Sequence, residues 1–223
     1  MRKILLAVGR RPYADVVSAE KAGVTVEKGK ISVNDKMQTN VSHIYAIGDV
    51  TGGPLLAHRA SKQGIIAAEN IAGHETLYDV RAMPGAIFTD PEVASVGISE
   101  EQAKEQNIDY ITGKFPFVAL GRALSTNSSE GFVKMIAEKS SRKVLGVHII
   151  GAHASDLISE ASLAIEMGAV VDDIALTVHP HPTLGEIMME TAETTLGLPI
   201  HIAPRKKTQS SSNKNQIQPS NRT

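Results

Sequence analysis

Three strand-like segments near the middle of the chain constrain its fold most strongly. They cover Tyr110–Val118, Gly131–Glu138 and Val144–Ile150, and turn-rich pieces at Leu124–Glu130 and Lys139–Lys143 join them. Short apolar runs bounded by turn residues are typical of β-strands. Their spacing predicts an antiparallel meander, in which sequential strands lie side by side.

Helical patterns surround this meander, and further short β-type runs precede it within Pro84–Gly97. A Ser-x-x-Gln signature predicts the start of one helix, Pro182 is placed for the first turn of another, and Gly197 ends that helix. The predicted helices are Ser99–Asn107, Ser155–Met167, Asp172–Leu176 and Thr183–Leu196. The segment from residue 83 to residue 204 is therefore expected to be an α+β domain, an antiparallel sheet packed with helices.

The first 82 residues have a different pattern. Ile4–Val8 and Ile44–Ile47 are short apolar runs that predict buried strands, and alternation within Gly23–Lys36 predicts a small hairpin. Leu56–Ala72 predicts a helix, and Gly64 within it suggests close backbone packing. Five residues at helical spacing form its expected buried face: Ala60, Gly64, Ala67, Ala68 and Ile71.

Composition excludes several classes of function. The 223 residues carry a formal net charge of -1, which does not favour strong attraction to nucleic acid or anionic membranes. Cys is 0, so the chain's own side chains supply neither disulfides nor thiolate metal ligands nor thiol chemistry. The first apolar run is too short for a signal peptide, and we expect a cytoplasmic protein. The polar residues 205–223 predict a disordered tail.

A first candidate site follows the apolar run Ile44–Ile47. Gly48 would let a ligand approach the backbone, and the Asp49 carboxylate could accept hydrogen bonds from a sugar or polyol hydroxyl. The alternative is that Asp49 only caps a turn. The start of the next helix favours the ligand site, because its free backbone N–H groups attract electron-rich groups. The residues that begin this helix are Leu55, Leu56, Ala57 and His58.

A second candidate site is the octet HPHPTLGE, which runs from His179 to Glu186. Its prolines stiffen the loop, and the Glu186 carboxylate can fold back to an imidazole nitrogen. Such a contact orients the ring and raises its basicity, as acid–base catalysis requires. A metal site is a weaker alternative, because no third strong ligand is nearby and the prolines constrain both rings. A rigid helix start without chemistry is the remaining alternative.

These motifs resemble those of the flavin-dependent pyridine nucleotide–disulfide oxidoreductases. The segment Thr39–Asp49 with LLAHRASKQG is similar to the second FAD fingerprint of the family. IFTDPEVASVG, FPFVALGRAL and VLGVHIIGAHASDLISE resemble its dimerisation domain, and HPHPTLGE resembles the active-site loop of its dihydrolipoamide dehydrogenase branch. The likeness extends from Ile4 to Ile202.

The resemblance also implies a domain organisation. The first 12 residues would end an NAD-binding domain, residues 13–82 would close an FAD-binding domain of Rossmann-like type, and residues 83–204 would form the dimerisation domain. Family members carry two Gly-x-Gly-x-x-Gly motifs and a redox disulfide, and this chain has neither. It is therefore expected to correspond to the C-terminal half of a family member, with incomplete sites for FAD and NAD.

Residue roles follow from the resemblance one by one. Asp49 would bind the ribityl chain of FAD beside Gly48, and Gly9 would contact NAD. The isoalloxazine would be lined by Leu55, Leu56, Ala57 and His58. His181 would accept the thiol proton of dihydrolipoamide with Glu186 orienting it, and the His181–Pro182 peptide would be cis.

Two kinds of function remain open from the sequence. In the family the histidine serves the flavin of the other subunit, which implies a homodimer, or a heterodimer with a polypeptide that supplies the N-terminal half. The lipoyl domain of a 2-oxoacid dehydrogenase complex would be the partner. The alternative to this enzyme, whole or split, is a dimerisation module without activity.

Overall fold

A computed structural model describes residues 3–203 of the chain. The predicted tail, residues 205–223, lies outside the described residues. Within residues 3–203 the strands and α-helices follow in this order: β1 (Val26–Glu27), β2 (Lys30–Ile31), α1 (Ala57–Ile71), β3 (Gly85–Ile87), β4 (Glu92–Gly97), α2 (Glu100–Glu105), β5 (Tyr110–Pro116), α3 (Gly121–Ser125), β6 (Phe132–Glu138), β7 (Val144–Gly151), α4 (Ala154–Met167), α5 (Val171–Leu176) and α6 (Glu186–Leu196).

The main sheet is antiparallel throughout, in the order β3-β4-β7-β6-β5. This arrangement confirms the predicted meander of β5, β6 and β7 and adds β4 to the outer edge of β7. Alternate residues of the strands point to one face, where α4 and α6 pack against them. Phe115, Met135, Ile149 and Ile187 are fully buried in the resulting core.

Helix boundaries in this part agree with the sequence signals in three of the four helices. Ser99 caps α2 in a reciprocal capping box with Gln102, as the sequence predicts. Gly197 ends α6 in the left-handed conformation, also as predicted. The predicted start of α6 at Thr183 is wrong. The helix begins at Glu186, because Thr183 belongs to a loop in which its hydroxyl donates to the carbonyl of Pro180 and its backbone N–H donates to the Glu186 side chain. The His181–Pro182 peptide is cis, as the resemblance implies.

The first part of the chain contains less regular structure than its sequence predicts. The hairpin is confirmed, since β1 pairs with β2 in antiparallel register. The predicted strand Ile4–Val8 is wrong: Ile4 is 95% exposed and Val8 is 88% exposed, and no strand among residues 3–203 lies beside them. Ile44–Ile47 forms no strand either, and contributes only the bridge of Tyr45 to Gln38.

The buried face of α1 also differs from the prediction. Gln63, Ile66 and Ala67 are its buried residues, whereas Ile71 is exposed. The reason is a hydrogen bond, because the backbone N–H of Gly48 donates to the side-chain oxygen of Gln63 over 2.8 Å and draws that polar residue inward. The neighbour of Gly64 is a side chain and not the backbone expected from the sequence, since a Cβ there would lie 3.3 Å from Cδ1 of Ile47.

Two contacts fasten the linker between the two parts of the chain. One carboxylate oxygen of Glu166 on α4 accepts the backbone N–H groups of Arg81 and Ala82, over 3.0 and 2.9 Å. His58 on α1 contacts the carbonyl oxygen of Pro84 through Nε2 over 2.8 Å. The linker is therefore held from both sides. None of the helices among residues 3–203 is both long and apolar enough to cross a membrane.

Candidate functional site

The loop before α6 brings together the predicted pair of His181 and Glu186. Nδ1 of His181 lies 2.8 Å from one carboxylate oxygen of Glu186. The second oxygen accepts the backbone N–H of Thr183 over 2.8 Å, and the Thr183 hydroxyl donates to the carbonyl of Pro180 over 2.7 Å. Glu186 thus closes the loop onto the first turn of α6 and fixes the orientation of the His181 ring.

Burial and charge separate the roles of this pair. The Glu186 side chain is 13% exposed, whereas the His181 side chain is 77% exposed. Burial tends to raise the pKa of the Glu186 carboxyl, but the Thr183 N–H and the neighbouring His181 outweigh it and lower that pKa. An ionised Glu186 holds the hydrogen on Nδ1, so Nε2 of His181 faces solvent as a proton acceptor.

The other histidine of the loop has no such open nitrogen. The His179 side chain is 7% exposed, and its Nδ1 lies 2.9 Å from the carbonyl oxygen of Thr177. Its Nε2 lies 2.9 Å from a carboxylate oxygen of Glu160 on α4. Of the two imidazoles, only that of His181 presents a free nitrogen to solvent. The sequence contains no signal for the contribution of Glu160, which lies 19 residues earlier.

The second candidate site is the turn that contains Asp49. Residues Gly48–Thr51 form a short 3-10 turn that packs against α1, and Asp49 is half-buried at its start. Gly48 adopts φ +73°, and a Cβ at this position would lie 3.1 Å from the Cβ of Ala60. Glycine therefore lets the turn approach the helix closely.

The beginning of α1 lies beside this turn. Leu56 occupies the N-cap position, and no side chain caps the helix there, so its first N–H groups remain available to an electron-rich ligand. Arg59 braces the turn by donating to the carbonyl oxygen of Gly52 over 2.5 Å. Leu55 and Leu56 are half-buried, whereas Ala57 and His58, the first two residues of α1, are exposed.

These residues fit the flavin role that the sequence resemblance implies. The half-buried carboxylate of Asp49 would accept polyol hydroxyls, and the uncapped helix start would face a ring edge. The imidazole of His58 is turned to the linker carbonyl of Pro84, so its expected contribution is through its backbone. The assignments of these site residues remain predictions.

Gly9 and the metal alternative have less structural support. Gly9 lies in the exposed first segment with φ +119°, and a Cβ built there meets nothing within 4 Å. The structure does not bring it to the Asp49 turn. Among residues 3–203, no group of three or more His, Asp or Glu side chains is arranged to hold a metal ion. No hydrogen bond in that range connects the His181 loop to the Asp49 turn.

Comparison with known proteins identifies the family. The pyridine nucleotide-disulphide oxidoreductase dimerisation domain matches residues 83–192, and the pyridine nucleotide-disulphide oxidoreductase domain matches residues 1–64. The chain belongs to the pyridine nucleotide-disulphide oxidoreductase family, whose members are FAD- and NAD(P)-dependent flavoproteins. The expected α+β fold class is thereby confirmed.

Two similar sequences and one similar structure illustrate which members of the family the chain resembles. The chain is 52% identical over 200 residues to the dihydrolipoyl dehydrogenases of Geobacillus stearothermophilus and Bacillus subtilis, a match that covers 89% of this chain and 43% of each relative. Among solved structures, the HOCl-induced flavoprotein disulfide reductase RclA from Escherichia coli superposes with a TM-score of 0.78 at 26% identity, covering 84% of this chain and 44% of RclA. The chain thus spans less than half the length of these relatives.

Proposed function

We propose that this chain supplies the general base and part of the flavin site of a dihydrolipoyl dehydrogenase. One observation carries the proposal: the His181–Glu186 contact of 2.8 Å leaves Nε2 of an exposed ring open to a substrate. Nε2 of His181 would accept the proton of a dihydrolipoamide thiol, while Nδ1 of the same ring keeps its hydrogen bond to the Glu186 carboxylate. General-base catalysis of this kind contributes roughly 10²–10⁴-fold to a rate.

The cofactor region serves the same reaction. The Asp49 turn and the start of α1 would hold FAD, which supplies the redox chemistry between the thiols and NAD when bound. The net reaction oxidises dihydrolipoamide to lipoamide and reduces NAD to NADH with release of one proton. The given 223 residues contain Cys 0, so the redox cysteine pair of the proposed reaction must come from residues outside them. The 223-residue chain alone is therefore expected to show no lipoamide-dependent NADH formation.

Assembly across two subunits is part of the proposal. The matched dimerisation domain supports self-association, and the exposed His181 ring would then face a flavin site on the partner. A lipoyl domain of a 2-oxoacid dehydrogenase complex would deliver the substrate in the cytoplasm. A heterodimer with a polypeptide that carries the remaining FAD- and NAD-binding segments would satisfy the same requirements.

A complementation assay tests this function. This chain would be mixed with FAD and a separately expressed N-terminal part of a related dihydrolipoyl dehydrogenase, and NADH formation from dihydrolipoamide would be followed. His181→Ala should lower turnover by roughly 10²-fold or more without loss of bound flavin. His74→Ala is the matched control, because His74 is exposed outside both sites. Full turnover by His181→Ala with FAD bound would show that the base is assigned wrongly.

A dimerisation module without activity is the second candidate. The main core is self-contained, because its buried residues run from Ala82 to Ala192 and the first part of the chain has separate small clusters. This candidate predicts a stable dimer that neither retains flavin absorbance nor supports turnover in the complementation mixture. Flavin retained by the mixture at stoichiometric level would favour the enzyme.

A further inference from the structure

The buried histidine of the active-site loop lies between two acceptors. Nδ1 of His179 faces the Thr177 carbonyl and Nε2 faces the Glu160 carboxylate, each over 2.9 Å. Both ring nitrogens of His179 are therefore engaged, and the contact with Glu160 connects the loop to the middle of α4.

The same ring supports the turn that starts α6. A Cβ built on Gly185 would lie 3.9 Å from Cδ2 of His179 and 3.7 Å from the hydroxyl oxygen of Thr183. Gly185 in the turn before α6 therefore lies beside the edge of the His179 ring. Thr183 donates its backbone N–H to the Glu186 carboxylate, and His181, two residues before Thr183, contacts the same carboxylate through Nδ1.

Charge acts in the same direction as packing. Burial tends to raise the pKa of Glu186, and the Thr183 N–H, His181 and finally the charge of His179 together lower it. A lowered pKa keeps Glu186 in the ionised form, which accepts the Nδ1 hydrogen of His181. The titratable side chains that contact this loop's histidines are Glu160, which faces His179, and Glu186, which faces His181.

We infer that Glu160 and His179 form a positioning pair that holds Glu186 and His181 in register for proton transfer. The inference rests on the proposed function only in assigning His181 as the base. Neither residue touches the substrate: Glu160 anchors the His179 ring to α4, and the ring supports the turn that carries Glu186. Loss of the pair should free the His181 ring to rotate away from Glu186.

Nuclear magnetic resonance of the imidazole nitrogens in the intact 223-residue chain tests this pair without any turnover. Neutral His181 is expected to carry its hydrogen mainly on Nδ1, because that nitrogen contacts Glu186. His179→Phe keeps a ring but removes both nitrogens, and Glu160→Gln removes only the charge. A hydrogen bond to a charged group is worth about 1.5–3 kcal/mol, so His179→Phe should lower the Nδ1-to-Nε2 tautomer ratio of His181 by about tenfold.

The controls separate positioning from folding. Asp156→Asn removes a carboxylate of the same helix whose partner is His153, and it should leave His181 unchanged. Backbone amide signals of β6 and β7 report whether each variant is folded. If His179→Phe unfolds, the His181 tautomer ratio is measured in Glu160→Gln instead. An unchanged His181 tautomer ratio in the folded variant overturns the inference. That outcome leaves the base role itself intact, because the role depends on the separate His181→Ala assay.

Discussion

The chain enters β6 so close to β7 that only glycine fits at residue 131. Gly131 adopts φ +98°, and a Cβ built there would lie 1.8 Å from the carbonyl oxygen of Ile150 and 2.6 Å from its carbonyl carbon. Both atoms belong to the backbone of β7, so no side-chain rotation relieves the contact. We therefore predict that Gly131→Ala strongly destabilises the domain.

The size of the effect follows from two contributions. A left-handed conformation costs a residue with a Cβ about 1–2 kcal/mol. The carbonyl of Ile150 must also retreat by more than an ångström to reach ordinary contact, which disrupts the β6–β7 ladder at the pair Phe132–Ile150. One lost hydrogen bond costs about 1 kcal/mol, with more if the group remains buried. The free energy of unfolding should therefore fall by about 3 kcal/mol.

Thermal unfolding followed by circular dichroism measures this change. A loss of that size in a domain of this length should lower the melting temperature by roughly 10 °C. Gly121→Ala is the matched control, because Gly121 lies in α3 and a Cβ there meets nothing within 4 Å. Alanine there should be neutral or slightly stabilising. If Gly131→Ala melts within ~2 °C of the control, the steric argument is wrong.

Three further outcomes are expected. A fragment covering Met83–Ile202 should fold and sediment as a dimer, and a purely monomeric profile at tens of micromolar, roughly the range where micromolar association shows, would contradict this. Amide hydrogen exchange should be fast in Ile4–Val8 and slow in Val144–Gly151, because only the latter is paired on both sides; equal protection would refute it. The pKa of Glu186 is lower in the folded protein than its ordinary value of 4.5, so the ionised carboxylate stabilises the fold at pH values above 4.5. This contribution to the free energy of unfolding is lost as the pH falls through the lowered pKa. The difference in melting temperature between wild type and Glu186→Gln should accordingly shrink on acidification, and a constant difference would contradict this.

Sequence patterns within short segments predicted the domain from residue 83 onward well. The errors before residue 83 arise where the structure depends on contacts between residues far apart in the sequence. β6 and β7 are joined by a short turn, so neighbouring residues determine their pairing, whereas β5 reaches β6 through the segment that contains α3. Ile4–Val8 has the composition of a buried strand, but a strand also needs a neighbour, and no strand among residues 3–203 lies beside it. On α1, burial of Gln63 depends on the N–H of Gly48, 15 residues earlier, which apolar periodicity cannot reveal.

The same distinction applies to the His181 loop. The spacing from His181 to Glu186 lies within one short loop, and their contact was predictable from the motif. The sequence alone did not distinguish the two histidines, because their difference arises from Glu160 on another helix. Burial of one ring and exposure of the other become visible only when α4 is packed against the loop.

The order of strands in the main sheet has a consequence for the sequence of folding events. β6 and β7 are joined by a short turn, whereas the paired residues Ser95 and His148 of β4 and β7 lie roughly 50 positions apart along the chain. Closing the longer loop costs about 2 kcal/mol more in chain entropy than closing the β6–β7 hairpin at the pair Ala137–Val144. The β6–β7 hairpin should thus form in the rate-limiting nucleus, and β4 should dock later on the edge it provides. Destabilising changes in the hairpin would then slow refolding, whereas those in β4 would mainly accelerate unfolding.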